Sequence, residues 1–140
     1  LMKVEMKDGH FYGPVSRFSQ IVDQFGEWKQ VYDNSPVIDD GGKLSSSPDI
    51  DILLFLSTWC PMARASVPPF MKTMEKVGPS NIKVTMIALD RSKTDPGNLA
   101  QKYGVSRVPT FVVLKEGREI ARFVEIPKKG NFVHDLVAIL

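Results

Sequence analysis

The run Ile52-Leu53-Leu54-Phe55-Leu56 constrains this chain more than any other segment. A strand with one wet face alternates apolar and polar residues, and this run does not. With its flanks it extends from Ile50 to Ser57, a length that fits a strand buried on both faces of a sheet. No stretch approaches the roughly 18 consecutive apolar residues that cross a membrane.

The segments on either side alternate in kind. Phe18, Ile21, Val22, Phe25, Trp28 and Tyr32 recur at helical spacing and predict a helix over about 16–32, with Gly26 weakening it. This aromatic stripe reads as a core-facing helix side. Residues 1–15 are mixed, with a turn signal at Gly13-Pro14, and residues 33–49 have turn composition with at most a short strand at Val37-Ile38. Asp39-Asp40 has no further ligands around it and reads as a solvated turn. After the apolar run come a helix from Pro61 to Val77 ending near Gly78-Pro79, and a strand from Ile82 to Leu89. A short helix from Asp95-Pro96 to Tyr103 follows, stopped by Gly104. Thr110–Leu114 and Glu119–Val124 flank Lys115-Glu116-Gly117-Arg118 as a hairpin, and 130–140 closes as a helix. Crossover helices imply parallel pairing and the hairpin adds an antiparallel strand. The expected fold is α/β, a mixed sheet sandwiched between α-helices. At 140 residues the chain is one domain, read as a helix and loop extension over 1–49 packed on a core over 50–140.

Charge and cysteine content remove several functions. Eighteen basic against 16 acidic residues, net +2, leave no electrostatic footprint for nucleic acid. The single cysteine excludes an intramolecular disulfide and a multi-cysteine metal cage. His10 and His134 are far apart and lack metal-ligand spacing, so neither a metal nor a cofactor is expected. No glycine-rich phosphate loop is present. The chain opens Leu1-Met2-Lys3, which is not a signal peptide. Leu1 ahead of Met2 reads as a trimmed start with an export signal upstream.

Cys60 stands where the buried strand turns into a helix. The unpaired N–H groups and dipole at a helix N-terminus favour a thiolate, the nucleophilic form of a thiol. Arg64, one turn on, would add positive potential, and Pro61 suits the first helical turn. A lone cysteine is otherwise more often a small buried hydrophobe. The carboxyl end of a parallel strand, however, is where open α/β sheets place their sites.

Several separated motifs now resemble the thioredoxin superfamily. Trp59-Cys60-Pro61-Met62-Ala63-Arg64 is similar to its W-C-x-x-C-[KR] motif with the second cysteine replaced, and Pro68 falls where the family has a helix proline. Tyr103-Gly104-Val105-Ser106-Arg107-Val108-Pro109-Thr110 resembles its Y-G-V-x-x-[VI]-P-T segment, and Phe111–Phe123 its closing strands. The resemblance covers about 50–140. It implies thiol–disulfide exchange on protein substrates bearing a disulfide or thiol, fed by an upstream thiol reductant. It implies Cys60 as nucleophile and Ala63 at the resolving position. Trp59, Pro61 and Met62 would form the rim, with Val108 and a cis Pro109 holding substrate.

Three departures qualify that picture. Ala63 cannot attack a disulfide, so either it replaces a cysteine of a Cys-Pro-Met-Cys centre, the reading preferred here, or the protein works as a monothiol resolved by an external thiol. The positions where relatives carry a proton-accepting carboxylate hold Leu54 and Ser66, with Asp51 a weak substitute. Glu125 would put a charge on a rim loop, or simply end a solvated loop. A redox-inactive docking module of the same fold remains the alternative function. A glutathione-ligated iron–sulfur protein is disfavoured, because Pro61-Met62-Ala63 stands where its Gly-Phe-Ser would be. The motif is most similar to reductase-type extracytoplasmic members. The expected location is therefore a bacterial periplasm, with a cytoplasmic one open, and the expected state a monomer.

Overall fold

The structure, a computed structural model, describes residues 4–140; the start at Leu1-Met2-Lys3 lies outside the described residues. The elements run β1 (Glu5–Lys7), β2 (His10–Val15), α1 (Phe18–Gln24), α2 (Gly26–Asn34), β3 (Ile50–Leu56), α3 (Pro61–Val77), β4 (Ile82–Ala88), α4 (Leu99–Lys102), β5 (Thr110–Lys115), β6 (Arg118–Val124) and α5 (Phe132–Val137). One mixed sheet has the order β1-β2-β4-β3-β5-β6. The apolar run forms its interior strand: β3 pairs parallel with β4 and antiparallel with β5. Leu54, Phe55 and Leu56 are all fully buried, because side chains on both faces meet helices. On one face Phe111, opposite Leu54, meets Phe70 of α3 and Phe132 of α5 at ring distances of 4.9 and 4.3 Å. On the other, Phe55 faces Tyr103 at the end of α4.

The N-terminal third departs from the sequence reading in three places. Residues 4–15 hold an antiparallel hairpin whose turn is Asp8-Gly9, both at positive φ, and β2 continues through Gly13-Pro14 instead of turning there. Pro14 is tolerated because it lies past the last β1 pair, Glu5↔Tyr12, where one side of β2 is open. The single helix expected over 16–32 is two helices, broken where Phe25 is extended (φ −120°, ψ 103°). The break lets Phe25 stack on His10 and meet the edge of Phe11, contacts to β2 from a step between helices. Val37-Ile38 forms no strand. Val37 is exposed and the Ile38 N–H donates to Thr73 Oγ1, which ties the loop to α3. Asp39 and Asp40 cap the turn after it by accepting from the N–H groups of Gly41, Gly42 and Leu44. Shorter corrections affect α4 and α5, which begin at Leu99 and Phe132 rather than at Asp95 and Gly130. Asp95 instead caps α4 from outside, accepting from Leu99 and Ala100.

Candidate active site around Cys60

Cys60 is the N-cap of α3, extended at φ −87° and ψ 119°, with Pro61 inside the first turn. The chain leaves the buried C-terminal end of β3 and is fixed before it reaches the helix. Leu89 N–H donates to Leu56 O at 2.8 Å, extending the β3–β4 pairing. The Leu89 carbonyl then accepts from Ser57 Oγ at 3.1 Å and from Trp59 Nε1 at 3.2 Å. From α2, the buried Trp28 donates its Nε1–H to the Thr58 carbonyl at 3.0 Å. From β2, the Phe11 N–H donates to Thr58 Oγ1 at 3.2 Å, and His10 Nδ1 lies 3.0 Å from the same hydroxyl. Three elements therefore hold the four residues that lead to the thiol, which leaves little freedom in its direction.

The thiol faces the loop before β5. Cys60 Sγ is 3.7 Å from the Val108 carbonyl, to which it donates, and the Val108–Pro109 peptide is cis. Val108 and Pro109 are buried, and the Thr110 hydroxyl donates to Arg107 O at 2.7 Å. Glu125 is tied to this loop. Its N–H donates to Pro109 O at 2.7 Å and its carboxylate lies 3.4 Å from Arg107 Nε. Glu125 thus braces the proline loop from β6, which accounts for its positive φ of 62° at a non-glycine residue.

The structure brings Cys60, Val108 and Pro109 together and sets Trp59 beside them. Pro61 and Met62 are exposed, Met62 at 37%. Ala63 is fully buried behind the first turn. Cys60 itself is 7% exposed, so an attacking partner must come past its rim, on the Val108 side or on the Trp59 side. Two expected contributions fall away. Asp51 lies at the opposite end of β3, exposed beside Lys83 in register, and cannot serve the thiol. Arg64 is turned toward Glu27 of α2, with 3.1 Å between Nη1 and Oε2, because α2 packs against α3 there.

Other groups at the site have no local signal in the sequence. Arg91 and Lys93 lie over the Trp59 ring, 5.1 and 5.6 Å from its centroid. The loop that carries them is shaped by Asp90, whose carboxylate accepts from Ser92 N–H, Thr94 N–H, the Thr94 hydroxyl and Lys7 Nζ. Burial pushes the Asp90 carboxyl up, but the bonds from Lys7 and Thr94 outweigh it and hold the group down at about 2. His10, Trp28 and Arg91 approach the site from positions 50, 32 and 31 residues away in sequence, and only the tertiary fold reveals them. A cleft of about 320 Å³ opens among His10, Glu27, Trp28, Trp59, Arg64 and Arg91. A separate cleft of about 440 Å³ between β6 and α5 is lined by none of Trp59, Cys60, Val108 or Pro109.

A family model described as Thioredoxin matches residues 42–138. A thioredoxin from Coprinus comatus is 32% identical over 87 residues, covering 62% of this chain and 78% of that protein. Among solved structures, a protein of unknown function from Pseudomonas aeruginosa matches with a TM-score of 0.59 at 17% identity, over 89% of this chain and 84% of that one. The thioredoxin of Fasciola hepatica matches with a TM-score of 0.52 at 18% identity, over 84% and 91%. At such identities the structural likenesses bear on the fold alone. Among the described residues no helix is long and apolar enough to cross a membrane.

Proposed function

The chain belongs to the thioredoxin family, and from that premise we propose that it performs thiol–disulfide exchange on protein disulfides with Cys60 as the nucleophile. The observation that carries this reading is the placement of Cys60 Sγ, at a helix N-cap and 3.7 Å from the carbonyl that precedes cis Pro109. An extended substrate segment laid along Val108 would bring its disulfide to that sulfur. The Cys60 thiolate attacks one substrate sulfur, the substrate S–S bond breaks, and the departing sulfur leaves as a thiolate that takes up a proton. The product is a mixed disulfide. Ala63 offers no second thiol, so this chain holds the mixed disulfide until an outside thiol resolves it.

Incubation with a disulfide-containing protein such as insulin tests this reading. Non-reducing electrophoresis should show a covalent adduct that disappears with Cys60→Ser. Ala63→Cys should convert the adduct into steady disulfide reduction when a dithiol reductant is supplied. Ala63 is fully buried beside the start of α3. A cysteine there adds one sulfur atom to a packed position, so the variant's fold is checked first by its unfolding curve. Absence of any adduct, with an inactive but folded Ala63→Cys protein, would leave a docking module of the same fold.

A further inference from the structure

The cleft beside Trp59 is chemically distinct from the Val108 side of Cys60, and none of residues 107–110 lines it. Its walls come from β2, α2, the first turn of α3 and the loop after β4. Arg64 and Arg91 supply two guanidinium groups and Glu27 one carboxylate, for a net charge of +1 among these three. Arg64 uses one nitrogen on Glu27 and keeps further N–H donors. Arg91 is exposed over the Trp59 face, with no carboxylate among its described contacts. Thr58 Oγ1 accepts from Phe11 N–H and lies 3.0 Å from His10 Nδ1. Trp28, Trp59 and Phe25 give the cleft aromatic walls. Its volume, about 320 Å³, is in the range that accepts a small molecule. A carboxylate has donors here, and an ammonium has Glu27, which is 73% exposed and engages Arg64 through one of its two carboxylate oxygens.

We propose that this cleft binds the amino-acid end of a small thiol, with its carboxylate on Arg91 and its ammonium on Glu27, and so delivers that thiol to a mixed disulfide at Cys60. The inference rests on the exchange chemistry proposed above and names the reductant that Ala63 makes necessary. The bound thiolate attacks Cys60 Sγ, the bond from Cys60 to the substrate sulfur breaks, and the substrate leaves as a thiolate that is protonated. A second molecule of the small thiol attacks the sulfur of the first and releases Cys60. Two small thiols are oxidised to one disulfide, and the substrate disulfide is reduced to two thiols.

The test loads Cys60 as its thiopyridyl mixed disulfide, with an uncharged leaving group, and follows release of pyridinethione by absorbance. Glutathione, which carries an amino-acid end, is compared with mercaptoethanol, which does not. With the unmodified sequence the glutathione rate should saturate with concentration, while the mercaptoethanol rate stays linear. Arg91→Ala should lower the sub-saturating glutathione rate about tenfold, the loss of one charge-assisted hydrogen bond, and the mercaptoethanol rate less than about twofold. Glu27→Gln should weaken glutathione in the same selective way, and it gives a second reading if either variant folds poorly. A linear glutathione rate unchanged by both variants overturns the proposal, and so does an equal loss for both thiols, which would place the effect on Cys60 itself. The proposal also falls if Arg91→Ala slows attack on an acidic peptide disulfide but leaves glutathione untouched, since the cleft would then serve the substrate. Failure of Cys60 to load at all is seen before any thiol is added, and it overturns the exchange chemistry rather than the cleft alone.

Discussion

Two tryptophans hold the loop before Cys60, and they do so unequally. Trp28 Nε1–H is a donor to the Thr58 carbonyl from inside the core, at 1% exposure. Trp59 Nε1–H shares the Leu89 carbonyl with the Ser57 hydroxyl. Trp28→Phe removes a buried donor and takes a bond from the Thr58 carbonyl, so it should cost about 1–3 kcal/mol. Trp59→Phe leaves Leu89 O bonded to Ser57 and should cost less than about 1 kcal/mol. Urea unfolding of the two variants measures the difference, and equal losses would show that the Thr58 carbonyl finds another donor. The same loosening predicts that Trp28→Phe forms the Cys60 mixed disulfide several-fold more slowly. The candidate position was legible in the sequence because Cys60 stands at a strand-to-helix junction, a local pattern. Its supports were not, because Trp28 reads as ordinary core and His10 as an isolated histidine. Only β2 and α2 closing on the end of β3 give them a target.

Among the elements, α3 shows how local chemistry sets boundaries that sequence reading can find. It starts with Pro at its first position and ends at Gly78, φ 59°, whose N–H donates to Met74 O at 2.8 Å. The left-handed conformation disfavours any side chain, so Gly78→Ala should lose about 1 kcal/mol. Gly26, at the start of α2, is the converse. It is not at positive φ and a methyl group there meets nothing within 4 Å. Gly26→Ala should therefore gain about 0.5 kcal/mol by restricting the unfolded chain. Shifts of the urea midpoint in opposite directions check both, and a loss at position 26 would mean the step at Phe25 needs glycine's freedom. The helices and strands from 50 onward follow from such signals: the apolar β3, the Pro–Gly limits of α3, and the Glu116-Gly117 turn with both residues at positive φ. The elements before position 35 were less legible for physical reasons. The three residues of β1 are all exposed and show no alternation, and β2 carries Gly-Pro within a strand. The break at Phe25 follows from a tertiary contact, the Phe25–His10 stack, that helical periodicity cannot register.

At the scale of the molecule, one ion pair joins the edge of the sheet to the rim of the site. Lys7 of β1 lies 2.7 Å from Asp90, which follows β4 and orders the turn that sets Arg91 and Lys93 over Trp59. Lys7 is about half exposed while the Asp90 side chain is 9% exposed, so solvent screens the pair from one side only. Burial raises the Asp90 carboxyl, and the hydrogen bonds from Lys7 and Thr94 bring it down to about 2. An unfolded aspartate titrates near about 3.9. The folded state therefore binds this proton more weakly than the unfolded state. The resulting stabilisation is complete above about pH 4 and is lost as the pH falls through about 2. With screening it should amount to on the order of 1 kcal/mol. Asp90→Asn keeps an oxygen acceptor for the turn but removes the charge. In urea unfolding near neutral pH it should be less stable by about that amount, and the two proteins should converge as the pH approaches about 2. A constant gap across the acid range would mean that the carboxylate acts only through the shape of the turn. If the pair does position the cationic loop, Asp90→Asn should also weaken the preference for glutathione over mercaptoethanol at neutral pH, since Arg91 would no longer be held above Trp59.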